Sequence, residues 1–214
     1  MPLFYSHTIN DTSRLAIWHI AEAEDFFLEK VPISRQITHP HKRLQHLAGR
    51  YLLQHLFPQF PIHLIQIADT RKPYLPNETH HFSISHCGDY AAAIVSTTHR
   101  VGIDIEIPVE RITRIRHKFL SDDETRLLLH DQPDIEQVKR LTLAWSTKES
   151  IFKWYSLGEM DFKNHMHLQE ILGDGDNGVM NALLTKTENV ELKAVYRFFE
   201  GLVLSWLATP SPTG

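Results

Sequence analysis

The sequence predicts an α+β fold of two similar α+β halves, each a small antiparallel sheet packed on a long helix. Two patterns carry this expectation. Each half holds one helix whose apolar residues recur at three and four, around Arg50 in the first and around Lys148 in the second. Each also holds short strands that alternate apolar and polar residues between tight turns. With 214 residues the chain is long enough for two small cores. The halves are expected at 1–107 and 108–214, meeting near the acidic strand Val101–Ile107, with only a faint internal echo and no residue-level repeat.

In chain order, Ser13 to Phe27 has helical spacing, with Leu15, Trp18, Ile20, Ala23 and Phe27 inward. His41 to Phe57 is a stronger helix: Leu44, Leu47, Ala48, Tyr51, Leu52 and Leu56 form its stripe, and Pro58 ends it. His63 to Ala68 reads as a short strand, and Arg71-Lys72-Pro73-Tyr74-Leu75-Pro76 as a proline-stiffened loop presenting two cations. His81–His86, Tyr90–Ser96 and Val101–Ile107 read as three strands joined by short turns, hence a meandering antiparallel sheet. Pro108 opens a basic segment with Arg111, Arg114, Arg116 and Lys118. Ser121 and Glu124 have capping-box spacing for a helix to about Leu129. Ile135 to Leu157 is a long helix with Gly158 as its stop. Gly173 to Gly178 suits a hairpin turn, because the terminal glutamate of a calcium loop is missing. Val190–Phe199 and Leu202–Ala208 close the chain as a hairpin.

Composition narrows the function classes. The net charge of −4 argues against a broad nucleic-acid surface. Cys87 is the single cysteine, so no internal disulfide forms, which fits a reducing, cytoplasmic setting. Pro2, His7, Asn10, Asp11 and Arg14 interrupt the first residues, so a signal peptide or membrane span is not expected there. Fifteen histidines are scattered, and His39/His41 and His165/His167 lack the surroundings of a closed metal site.

The chemistry concentrates in two stretches. In Val101-Gly102-Ile103-Asp104-Ile105-Glu106-Ile107 the isoleucines take one face of a strand, and Asp104 and Glu106 share the other. Adjacent carboxylates repel unless a cation or a basic group lies between them. In the long helix, Lys148 falls inside an apolar arc, while Glu149 and Lys153, four apart, sit together at its margin. A lysine within an apolar arc needs a partner. Bringing the stretches together lets Asp104, Glu106 and Glu149 share one divalent cation, and an oxygen-only set suits Mg²⁺, with Mn²⁺ as the alternative. Lys148 and Lys153 would then face a phosphate, His86 and Ser85 would hydrogen-bond it from the hairpin turn, and Arg50, Arg71 and Lys72 would hold other phosphates. The pattern reads as a metal-dependent pyrophosphate site.

These residues resemble a known family. Ser85-His86, Gly102-Ile103-Asp104-Ile105-Glu106 and Trp145-x-x-Lys148-Glu149-x-x-x-Lys153 are similar to the three signature motifs of 4′-phosphopantetheinyl transferases, with the spacing of the longer, Sfp-type branch. Arg71 to Pro76 resembles the family's Gly-Lys-Pro segment, Leu47-Ala48-Gly49-Arg50 its N-terminal helix, and Phe119 to Glu124 its Phe-Ser-x-x-Glu. Ser83 departs from a frequent Asn, and Arg71 from the usual Gly. The resemblance implies a cytoplasmic monomer of two halves related by pseudo-two-fold symmetry, with coenzyme A and magnesium between them. The implied reaction moves 4′-phosphopantetheine from coenzyme A to a serine of an apo acyl- or peptidyl-carrier protein of fatty acid, polyketide or nonribosomal peptide synthesis. Adenosine 3′,5′-bisphosphate leaves. Asp104, Glu106 and Glu149 would hold the metal, Glu149 would be the base, directly or through a water, and Lys153 would assist the leaving group. His86 and Ser85 would bind phosphates, and Lys72 with Arg43 or Arg50 would serve the nucleotide end. Carrier proteins are acidic, so Arg111, Arg114, Arg116 and Lys118 form a candidate docking surface.

Three rivals remain open in the sequence. A magnesium-dependent nuclease also uses acids with a Glu/Lys pair, although the net charge and the helical spacing oppose it. A module that binds coenzyme A or a carrier without turnover is the second. The third makes Cys87 a nucleophile beside His86, but neighbours on a strand face opposite ways.

Overall fold

The computed structural model describes residues 2–32, 36–173 and 175–211. The fold is α+β with antiparallel sheets. The chain divides into two compact units, one running to Ile103 and rejoined by the chain from Ala208 on, the other spanning Asp104–Leu207. The sequence places the boundary at 107/108; here it falls inside a strand.

The first unit opens with the hairpin β1 (Leu3–Asn10) and β2 (Ser13–His19), followed by the short helix α1 (Glu24–Leu28). The expected helix over Ser13–Phe27 is thus corrected to a strand and one helical turn. Leu15-Ala16-Ile17-Trp18 is buried as a continuous run, which suits a central strand covered on both faces and carries no helical period. Helix α2 (Pro40–Leu56) agrees with the expected helix. After it come a 3-10 turn (Ile62–Leu64) and the two-residue strands β3 (Gln66–Ile67) and β4 (Pro73–Tyr74), in place of one strand over His63–Ala68. Strands β5 (His81–Cys87) and β6 (Tyr90–Ser96) form the expected hairpin.

The next strand, β7 (His99–Glu106), departs from the expected meander. The first sheet runs β1-β2-β6-β5, so β6 is flanked on both sides and has no edge to offer. Instead β7 lies at the end of a five-stranded sheet with β8 (Met166–Gly173), β9 (Asn177–Leu184), β10 (Val190–Phe199) and β11 (Leu202–Pro210), in the order β7-β11-β10-β9-β8. Glycine at position 201, with φ 74°, makes the β10–β11 turn. Gly173 and Gly178 are paired across the β8–β9 hairpin, as a turn rather than a calcium loop requires; Asp174 lies outside the described residues.

In the second unit, Arg111–Ile115 forms α3, continued by a 3-10 turn over Arg116–Lys118. Helix α4 (Asp122–Leu129) begins with the expected capping box between Ser121 and Glu124. Helix α5 (Asp134–Tyr155) ends at Ser156, whose φ of 72° supplies the left-handed cap assigned in sequence to Gly158. Each unit has its own core. In the first, α2 packs Leu47, Ala48, Leu52 and Leu56 with Ala91, Ala93 and Val95 of β6. In the second, Leu141, Ala144 and Ile151 of α5 pack with Met180, Leu192 and Ala194 of the sheet.

Candidate functional site

The second unit gathers the two chemical stretches. Trp145, Glu149 and Lys153 recur every fourth residue on α5, so they share one helix face over about 12 Å. Asp104 and Glu106 are two apart at the end of β7 and share one strand face. The two faces meet. Lys153 Nζ donates to Asp104 Oδ1 at 2.7 Å, and Trp145 Nε1 donates to Glu106 Oε1 at 3.1 Å. Asp104 is buried, with 3% exposure, so its ion pair is shielded from water on the carboxylate side. Glu149 lies between these attachments in the chain of α5. Its carboxyl is pushed up to about 7 from an ordinary 4.5, first by burial and then by the negative charge of Asp104, with Glu106 adding to it and Lys153 opposing. Glu149 therefore feels two carboxylates from a strand remote from it in sequence.

Among the described residues, no three His, Cys, Asp or Glu side chains already close around a position for a metal ion. The carboxylates stand as neighbours, with Asp104 and Glu106 fastened to α5 by an ammonium and an indole. Their chemistry nevertheless fits a hard divalent cation, since the donors are all oxygen and the repulsion felt by Glu149 is what such a charge relieves.

Lys148 requires a correction. It does not face a phosphate. Its side chain is fully buried, and Nζ donates to the carbonyls of Phe119, Phe162 and Met166 at 2.7, 2.8 and 2.7 Å while pairing with Glu124 Oε1 at 2.6 Å. An ammonium has three protons, and this cage uses them all. Burial lowers its pKa and the Glu124 carboxylate raises it. Glu124 in turn accepts the amides of Ser121 and Leu168. The pair is a structural hub tying α4, α5, β8 and the loop around Phe162.

A cleft of about 580 Å³ opens beside Glu149 in the same unit. Phe119, Trp145, Phe152 and Phe162 give it an aromatic lining, with Lys118 and Glu149 among its polar members. Trp145 meets Phe119 edge-on at 5.2 Å and Phe162 at 5.4 Å. In the sequence Trp145 stands in the apolar arc of the long helix and in the motif, with no role of its own. Its spacing of four from Glu149 is the signal that places it on the same face.

The remaining predicted residues lie in the first unit. Ser85 is buried and His86 exposed, as neighbours on a strand must be. Arg50 is buried on α2, with Nη1 at 3.1 Å from His46 Nδ1, whereas Arg43 pairs with Glu24 at 2.6 Å. Gly49 brings α2 close to β5: a β-carbon there would lie 2.6 Å from Ile84 Cγ2, next to Ser85. Lys72 is half-buried, and burial together with the Arg100 charge lowers its pKa to about 8. Arg71 is exposed and has φ 65°, a backbone conformation that favours glycine, which gives its departure from the family's usual residue a physical meaning. Ser83, the other departure, accepts the amide of Ile103 at 3.3 Å and so braces β7 just before Asp104. Arg111, Arg114, Arg116 and Lys118 are all exposed.

Known proteins resemble this chain over the span that holds these residues. Residues 100–199 match the 4′-phosphopantetheinyl transferase superfamily. That span carries the acidic strand and all of α5. Enterobactin synthase component D of Salmonella austin is 33% identical over 121 residues, 54% of this chain and 48% of that protein. The protein of the same name from Escherichia coli K12 is 34% identical over 123 residues, 52% of this chain and 54% of that protein. A putative 4′-phosphopantetheinyl transferase of Haemophilus influenzae is 30% identical over 139 residues, 62% of this chain and 57% of that protein. The chain spans about half the length of the curated relatives it matches. No helix among the described residues is long and apolar enough to cross a membrane.

Proposed function

We propose that this chain transfers 4′-phosphopantetheine from coenzyme A to a serine of an apo acyl- or peptidyl-carrier protein. The observation that carries the reading is Glu149 under the field of Asp104 and Glu106, opposite Lys153, within the span matched to the transferase superfamily. The serine hydroxyl attacks the β-phosphorus of coenzyme A, the bond to the bridging oxygen breaks, and adenosine 3′,5′-bisphosphate leaves. Glu149 takes the serine proton directly or through a water. Lys153 turns from Asp104 to the charge developing on the leaving phosphate. Asp104, Glu106 and Glu149 would hold Mg²⁺ (or Mn²⁺), which would supply Lewis-acid charge to offset the pyrophosphate.

The other roles are assigned by the motif resemblance and by the character of each surface. The aromatic cleft beside Glu149 suits the pantetheine arm, whose chain is largely apolar between its amides. Ser85 and His86 bind phosphates, while Arg71, Lys72 and either Arg43 or Arg50 serve the nucleotide end. The exposed row Arg111, Arg114, Arg116 and Lys118 docks an acidic carrier. Two α+β units in one chain suit the longer, monomeric branch, and the single cysteine, Cys87, suits a reducing, cytoplasmic setting.

The test mixes the protein with coenzyme A, Mg²⁺ and several apo-carriers and weighs each carrier. A carrier that gains one phosphopantetheine, and fails to do so with Asp104→Ala, supports the reading. An Asp104→Ala enzyme with near-normal turnover removes the assigned role. Binding of coenzyme A with no modified carrier in any mixture makes the chain a binding module instead.

A further inference from the structure

Two neighbouring carboxylates on β7 are fastened to α5 in different ways. Lys153 holds Asp104 with an opposite charge, which partly offsets it. Trp145 holds Glu106 with a neutral N–H, which aims one oxygen without cancelling its charge. Glu106 has one more rotatable bond than Asp104, is the last residue of its strand, and is only half-buried. It therefore gains more from an outside group that fixes its rotamer.

The indole is itself held. Its ring is packed against those of Phe119 and Phe162, at 5.2 and 5.4 Å. The backbone carbonyls of these same two residues are bound by Lys148 Nζ at 2.7 and 2.8 Å. A contiguous set of contacts thus runs from the buried Lys148–Glu124 pair through two phenylalanines to the indole N–H and then to Glu106.

We infer that Trp145 is a positioning residue: its indole N–H orients Glu106 as a cation ligand, and the Lys148–Glu124 hub holds the indole in place. The inference rests on the reading of Asp104, Glu106 and Glu149 as the cation site. It gives the motif's tryptophan a role separate from lining the cleft.

The experiment uses Mn²⁺ binding, read by electron paramagnetic resonance on the whole chain, in the parent, Trp145→Phe, Glu106→Ala and the double variant. Phenylalanine keeps an aromatic ring against Phe119 and Phe162 and removes the donor. Losing a group that orients a metal ligand weakens binding about tenfold or more, so that loss is expected for Trp145→Phe. In the Glu106→Ala background, which lacks both the ligand and the acceptor of the indole N–H, the same change should have no further effect, because the residue acts through Glu106. A purely structural tryptophan would weaken binding equally in both backgrounds, and that result overturns the inference. So does a Trp145→Phe affinity within about twofold of the parent, well short of an orienting contribution. If Trp145→Phe proves poorly folded by circular dichroism, Phe119→Leu in the same two backgrounds serves instead, since it loosens the ring while leaving the N–H, and the same non-additivity is required. A parent that binds no Mn²⁺ overturns the cation site as well, whereas a parent that binds it beside an unaltered variant removes only the role of Trp145.

Discussion

Replacing Lys148 by methionine keeps a long apolar stem and removes the ammonium. The consequences can be worked from its cage. Three carbonyls lose their donor, and Glu124, 3% exposed, loses its countercharge. Breaking a buried pair from one side costs about 3–5 kcal/mol. Glu124 keeps the amides of Ser121 and Leu168, which places the loss near the lower end, about 3 kcal/mol. That is a large share of a typical total of about 5–15 kcal/mol. Urea unfolding followed by tryptophan fluorescence should show the midpoint falling. Adding Glu124→Gln removes the stranded charge but gives up one of the two amide acceptors, so it should recover no more than about 1 kcal/mol of the loss. A Lys148→Met protein as stable as the parent, with coenzyme A affinity collapsed, would refute the reasoning and return this lysine to the phosphate.

Three other outcomes follow from the geometry. Glu149 binds a proton more tightly folded than unfolded, so cation-free stability should fall as pH rises from about 4.5 to 7. Urea midpoints across that window should lose this slope in Glu149→Gln. Gly49→Ala should destabilise the first unit by about 1–3 kcal/mol, because the new methyl meets Ile84 and must push it aside; an unchanged thermal midpoint would show that Ile84 yields freely. Reversing Arg111 and Arg114 to glutamate should raise the KM for an acidic carrier several-fold while the coenzyme A KM holds. The parent's carrier KM should climb with salt, since exposed charges are screened within about 10 Å at 0.1 M.

The amino-acid sequence alone determined the features that depend on near neighbours. Helices α2 and α5 show in their three-and-four spacing, the capping box of α4 in Ser121 and Glu124, and the β5–β6 hairpin in its alternation about a short turn. The shared faces of Asp104 with Glu106 and of Glu149 with Lys153 follow from helix and strand periods in the same way. Pairing between distant segments was decided only by tertiary structure. The run from Leu15 to Trp18 carries no period when both faces are covered, so β2 passes for helix. Strand β7 leaves its sequence neighbour β6 because both edges of β6 are taken. Lys148 is visible as a lysine in an apolar arc, but whether its ammonium meets a phosphate or three carbonyls and Glu124 depends on groups 14 to 29 residues away. A one-dimensional period records which face a side chain takes, and the partner waiting at that face is set by how remote segments pack.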